Sequence, residues 1–169
     1  MFHGWDNFFI MAGTAGVQLI GLLFVMVTLA TGLSKSQSVD GIRAFLTPTL
    51  VNFSGVLFQA AVVLTPWPSY WPIGFMLVLG GLVGIVYQIS GIYLKRKLDF
   101  VALHPLDWIP YSGVPILGNV SLIGGGFGLI AQKSFAPYAI AGASTLLLVA
   151  GIYGAWDLTM WIVKNRDKP

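Results

Sequence analysis

The chain has 169 residues, of which 56% are apolar and 9% charged, with a formal net charge of +3 and no cysteine. Soluble domains carry roughly 25% charged residues, so an ordinary soluble domain is excluded. The missing cysteines exclude disulfides, thiolate metal sites and thiol catalysis. The basic residues sit between long apolar runs, where they report topology, so nucleic acid is not an expected partner.

The opening stretch, Met1-Phe-His-Gly-Trp-Asp6, has no Lys or Arg. It lacks the basic region of a secretory signal, so the first apolar run is expected to stay in the mature protein. That run covers 8–33, long enough for the roughly 20 residues that span hydrocarbon. Ala12 and Gly16 form a small-x-x-x-small pair suited to close helix contact. Gln18 shares a face with Thr14, Gly21 and Thr28, and is expected to point inward with the other amides.

The second run covers 42–65. Pro48 is expected near its start, where a missing backbone donor costs least. Asn52, Gly55 and Gln59 share one face. The prolines of Thr65-Pro-Trp-Pro-Ser-Tyr-Trp-Pro72 form a tight turn, and Trp67, Tyr70 and Trp71 read as an interfacial aromatic belt. The third run, 73–94, lines one face with Gly81, Gly84, Gln88 and Gly91. Lys95, Arg96 and Lys97 follow, suited to lipid headgroups or to a topological anchor. The stretch after them, through His104 to Asp107-Trp108, suits a segment lying at the headgroups.

The fourth run, 108–130, carries Pro110, Pro115 and a glycine cluster at Gly124, Gly125, Gly126 and Gly128. The cluster has no following Lys, so it is not a phosphate loop; close helix packing is its expected task. The fifth run, 138–163, holds Asp157 inside an apolar stretch. Ala143, Ala150, Gly154 and Asp157 share a face, so the acid is expected to point toward other helices. An ionisable residue inside a membrane segment is expensive and needs a partner.

Loop charges fix the count. With five spans, Lys35, Arg43, Lys95, Arg96, Lys97, Lys164, Arg166 and Lys168 fall on one side and only Lys133 on the other. That bias places the N-terminus outside and the C-terminus in the cytoplasm. The expected fold is therefore all-α: one transmembrane domain over 1–169, a polytopic bundle of five transmembrane helices in a bacterial inner membrane.

Several pieces are similar to one family. Phe9-x-x-Ala12-Gly13 followed by Gly21-Leu-Leu-Phe-Val25, then Arg43-Ala44, Asp107-Trp108-x-x-Tyr111-x-x-x-Pro115 and Gly151-Ile-x-x-Ala-Trp-Asp157, resemble uncharacterised small bacterial five-helix integral membrane proteins. In that family polar residues, often His and Asn, precede Ala-Trp-Asp; here Tyr153 and Gly154 stand there. The resemblance implies a compact five-helix membrane protein and no activity.

Two constellations carry the functional expectations. Asp157, Asp107, His104 and Arg43 gather at the cytoplasmic helix ends, either as a proton relay or, the favoured reading, as ion pairs holding helix ends together. Arg43 and Asn52 face nearly opposite sides of their helix, so Arg43 is also placed to meet headgroups. The amides Gln18, Asn52, Gln59, Gln88 and Asn119 line a polar pathway or, again favoured, act as interhelical glue worth about 0.6 kcal/mol each. His3 and His104 fall on opposite sides of the membrane, no pair has metal-ligand spacing, and there is no Glu. No base stands near a Ser or Thr to activate it. No cofactor is expected and an enzyme is disfavoured. The expected function is a non-catalytic accessory or scaffolding subunit, packing through Gly81, Gly84, Gly124, Gly125, Gly128 and Gly154 against a larger membrane complex or itself. The alternative is a homo-oligomeric channel or transporter subunit lined by the amides and Asp157.

Overall fold

The computed structural model describes residues 2, 4–33, 39–97 and 112–165. Among them the chain forms five helices: α1 (Asp6–Leu33), α2 (Val39–Leu64), α3 (Tyr70–Lys97), α4 (Val114–Ile130) and α5 (Ala136–Asn165). Gly124–Gly126 lies in mid-helix although glycine is the weakest ordinary helix former in water. In an apolar surround a helix satisfies every backbone donor and acceptor within the segment, which outweighs that propensity.

The helix starts differ from expectation where proline chemistry decides them. α2 begins at Val39, so Pro48 sits well inside the helix and not near its start. Proline inside a helix is better tolerated in a membrane-type bundle than in a soluble protein. α3 begins at Tyr70, with Pro72 in its first turn, where the absent N–H is an orphan in any case. α4 is described from Val114, with Pro115 in its first turn and Gly113 before it; the start expected at 108 lies outside the described residues. Residues 98–111 lie outside the described set.

Consecutive helices run antiparallel. One core cluster joins Phe9 of α1, Val62 and Val63 of α2, Ile73 and Leu77 of α3, Leu129 of α4, and Ala136 and Ile140 of α5. These are the start of α1, the end of α2, the start of α3, the end of α4 and the start of α5, so all five meet at one end. The opposite end holds Leu23, Phe53 and Leu158. α2 and α5 form the central pair; α1 packs along α2, while α3 and α4 close the other flank by packing on each other and α4 on α5.

Aromatic rings crowd the first of these ends. Trp5 meets Tyr138 edge-on at 4.9 Å and Phe8 at 6.1 Å. Trp71 stacks on Phe75 at 5.7 Å. The indole of Trp67 donates to the Val62 carbonyl at 2.9 Å, satisfying an acceptor at the end of α2.

The α4–α5 turn closes with a paired motif. The Lys133 N–H donates to the Gly128 carbonyl at 2.8 Å and the Gln132 N–H to the Leu129 carbonyl at 3.0 Å. This is the Schellman pattern, which wants a left-handed residue at its centre. Gln132 takes that role with φ 53, where a side chain costs energy that glycine avoids. Gln132→Gly is expected to raise stability by up to about 1 kcal/mol, read as a higher denaturation midpoint in detergent.

The outside of the bundle is as apolar as its interior. Leu22 and Val86 are each 64% exposed, and Val83 is 62% exposed. Soluble monomers rarely show apolar patches beyond a few hundred Å². Four segments are long and apolar enough to cross a membrane: Asp6–Leu29, Leu46–Leu64, Tyr70–Gly91 and Ala136–Met160. α4 has 17 residues. At 1.5 Å per residue it is roughly 25 Å long, a little under the ~30 Å of hydrocarbon. It is nonetheless a core element, wedged between α3 and α5.

Candidate functional site

The polar interior is a seam of amides and hydroxyls. Thr49, Asn52, Gln59, Gln88, Asn119 and Ser144 are all buried, none more than 7% exposed. Of the amides expected to point inward, Asn52, Gln59, Gln88 and Asn119 do. Gln18 does not: it is exposed on α1, as are Thr14, Gly21 and Thr28. The correction has a geometric cause. α1 uses the face of Phe9, Ala12, Gly13, Gly16 and Leu23 for packing, and Gln18 projects from the other side.

Each buried amide is placed by a helix pair. Gln88 Nε2 of α3 donates to the side-chain oxygen Oδ1 of Asn52 of α2 at 3.3 Å. Asn119 of α4 donates to the Pro115 carbonyl one turn back at 2.8 Å. Its oxygen faces the backbone of α3, because Gly84 has no Cβ; a Cβ built there would collide with the Asn119 amide. Thr49 of α2 fills the matching notch at Gly154 of α5.

Nearer the aromatic end, Ser144 Oγ of α5 lies 2.7 Å from Gln59 Oε1 and 3.2 Å from the Ile140 carbonyl. Gln59 Nε2 has no acceptor among the described residues. A serine has one proton and cannot serve both oxygens. Turning the Gln59 amide over resolves this: its N–H then donates to Ser144 Oγ, and Ser144 donates to Ile140. An acceptor is left unpaired in place of a donor, the less costly of the two.

The glycines divide by direction. A Cβ on Gly74 would lie 2.6 Å from the Gly126 carbonyl oxygen, and one on Gly126 2.8 Å from the Gly74 carbonyl oxygen. A Cβ on Gly81 would meet Ile123 at 2.6 Å, one on Gly125 Ile140 at 2.6 Å, and one on Gly128 Phe135 at 3.0 Å. Gly124 differs: it is exposed and a Cβ there would meet nothing within 4 Å. Three consecutive helical residues point about 100° apart, so Gly124, Gly125 and Gly126 cannot all face neighbours on two sides. Gly124 is therefore not a packing glycine within this bundle.

Asp157 is half-buried, on the same face as buried Ala143, Ala150 and Gly154. It is not without a partner. His104 and Asp107 lie outside the described residues, as do the side chains of Arg43, Lys95, Arg96 and Lys97. Asp157→Asn is expected to accumulate in membranes at the unmodified level, since the amide keeps hydrogen-bonding capacity without a charge to neutralise; quantitative immunoblotting of membrane fractions reads this.

Ser144 and Thr49 were not singled out in the sequence, although both complete the seam. Ser144 shares a face with Leu147 and Gly151, both buried, at helical spacing. That placement was the available signal. Gly74, Gly118 and Gly151 also make close contacts that composition hid, because glycine is common throughout the chain.

The fold and its seam define a class: an all-helical bundle with an apolar exterior, compatible with a membrane protein. Compared with known proteins, the chain matches no family model, no curated protein and no solved structure.

Proposed function

We propose that the chain is a non-catalytic integral membrane protein of a bacterial cytoplasmic membrane, an accessory or scaffolding subunit that packs against a larger membrane complex or against itself. It spans five times, with the N-terminus outside and the basic C-terminal end in the cytoplasm. One observation carries the reading: the buried amides are spent on neighbouring helices and their own backbone, as glue is, and not ranked along an open route. Asn52 binds Gln88, Ser144 binds Gln59, and Asn119 binds its own helix while filling the notch at Gly84. Interhelical amide and hydroxyl bonds of this kind hold membrane bundles together.

The antiparallel order supports the topology. It puts the helix positions of Arg43, Lys95–Lys97 and Lys164 toward one end and Lys133 toward the aromatic end, in keeping with a positive-inside protein. The family resemblance of Asp107-Trp108-x-x-Tyr111 and Ala155-Trp156-Asp157 is part of the same proposal and adds no activity to it. Purification in mild detergent tests the function. A stable complex, with another membrane subunit or with itself, and no flux in liposomes is the expected result. Solute or proton flux through the reconstituted protein would contradict it and favour a channel.

A further inference from the structure

Of the five amides expected to face inward, Gln18 is the one that the bundle leaves outside. Asn52, Gln59, Gln88 and Asn119 are at most 7% exposed. Gln18 is exposed and makes no hydrogen bond among the described residues. It stands at the midpoint of the Asp6–Leu29 span, as far from headgroups and water as that span allows. Two exposed threonines, by contrast, turn back onto their own helix: Thr28 donates to the Phe24 carbonyl and Thr65 to the Ala61 carbonyl, both at 2.8 Å.

Gln18 does not stand alone on its face. Met11, Thr14, Gln18, Gly21, Val25 and Thr28 follow one another at alternating steps of three and four residues, and all but Thr28 lie near the midline of the exposed arc of α1; all six are exposed. This is the seam spacing of paired helices. Gly21 has open space where a Cβ would be, so a second backbone can approach there.

We propose that this row is a self-association surface, and that its occupant is α1 of a second copy of the chain. The choice of partner follows from depth and chemistry. Copies inserted with one topology present parallel α1 helices, so Gln18 meets Gln18 at the same level without any adjustment of register. An amide carries both donor and acceptor, so two of them related by a two-fold axis satisfy each other. Glutamine pairs of this kind join helices in membranes. The inference rests on the membrane reading above and gives its self-packing form a surface.

The chain has no cysteine, so single-cysteine variants report contacts without background. Thr14→Cys and Val25→Cys lie on the row; Phe24→Cys is exposed but off it. Each is made with and without Gln18→Leu, and native membranes holding the full chain are treated with a mild oxidant. A disulfide needs Cα atoms within about 7 Å, so only a close, parallel pair forms one. The expected result is a covalent homodimer at positions 14 and 25, none at 24, and loss of the dimer with Gln18→Leu. Monomer at all three positions, equal dimer at all three, or dimer indifferent to Gln18→Leu would overturn the proposal. A heteromeric product at 14 or 25 would also overturn it, while leaving the scaffold reading intact. Membranes washed with alkaline carbonate separate the failures: release of the chain would defeat the membrane reading itself.

Discussion

Gly74→Ala is expected to destabilise the bundle by about 2 kcal/mol, while Gly124→Ala stabilises it slightly. The added methyl at position 74 lies 2.6 Å from the backbone oxygen of Gly126 and 2.6 Å from Ile130. A backbone carbonyl inside a packed helix cannot swing aside as a side-chain end can, so α3 and α4 must separate. Overpacking costs about 1–3 kcal/mol, and this contact belongs at the upper end. Alanine returns roughly 1 kcal/mol of helix propensity, which sets the net loss. Gly126→Ala should behave alike, since its methyl meets Val78 at 2.7 Å and the Gly74 oxygen at 2.8 Å. Both changes push the same helix pair apart, so the double variant should lose less than the sum. Leucine at Gly84 or Gly125 is expected to lower stability by more than alanine at the same site. At Gly124 the methyl meets nothing, and only the propensity gain remains. Unfolding of purified protein by denaturing detergent ranks these variants; equal stability for Gly74→Ala and Gly124→Ala would contradict the packing.

Ser144→Ala is expected to cost about 1–3 kcal/mol, and Gln59→Leu added to it should recover most of that loss. Gln59 is fully buried and Ser144 is its partner on α5. Removing the hydroxyl strands an amide in an apolar core, and the desolvation penalty of the stranded group sets the cost. Replacing both partners with apolar side chains of similar shape leaves nothing to strand. The signature is therefore a coupling between the two sites rather than either single loss. Additive losses in the double-mutant cycle would show that Ser144 and Gln59 do not depend on each other.

The architecture was legible because hydrophobic run length and loop charge are strong signals in a membrane-like sequence. The apolar stretches near 8–33, 42–65, 73–94 and 138–163 became α1, α2, α3 and α5 with ends shifted by a few residues. The fourth was harder. Pro110 and Pro115 blur the start of the run in the sequence, and its expected beginning at 108 lies outside the described residues; the described helix is Val114–Ile130. Inward and outward faces were less legible. Small residues line both buried and exposed faces of a membrane helix, so sharing a face with Gly21 gave Gln18 no direction. What decided its direction was which side of α1 the α2 helix occupies, a tertiary fact that no local pattern carries. The same holds for Gly124, which composition cannot separate from Gly125 and Gly126. Asn52, Gln88 and Asn119 were recoverable because each recurs at helical spacing with a glycine or a second amide that turned out to be buried. Their pairing was not, since it depends on how the helices shift along one another.

The central claim is a five-span bundle with its basic end in the cytoplasm, and a topology reporter tests it most directly. Fusions after Ser36, Ser69, Ser134 and Pro169, each carrying a reporter active only in the periplasm, sample both ends. The account predicts activity after Ser69 and Ser134, and silence after Ser36 and Pro169. Activity after Pro169 with silence after Ser134 would contradict it, because α4 would then not cross and the basic tail would face outward.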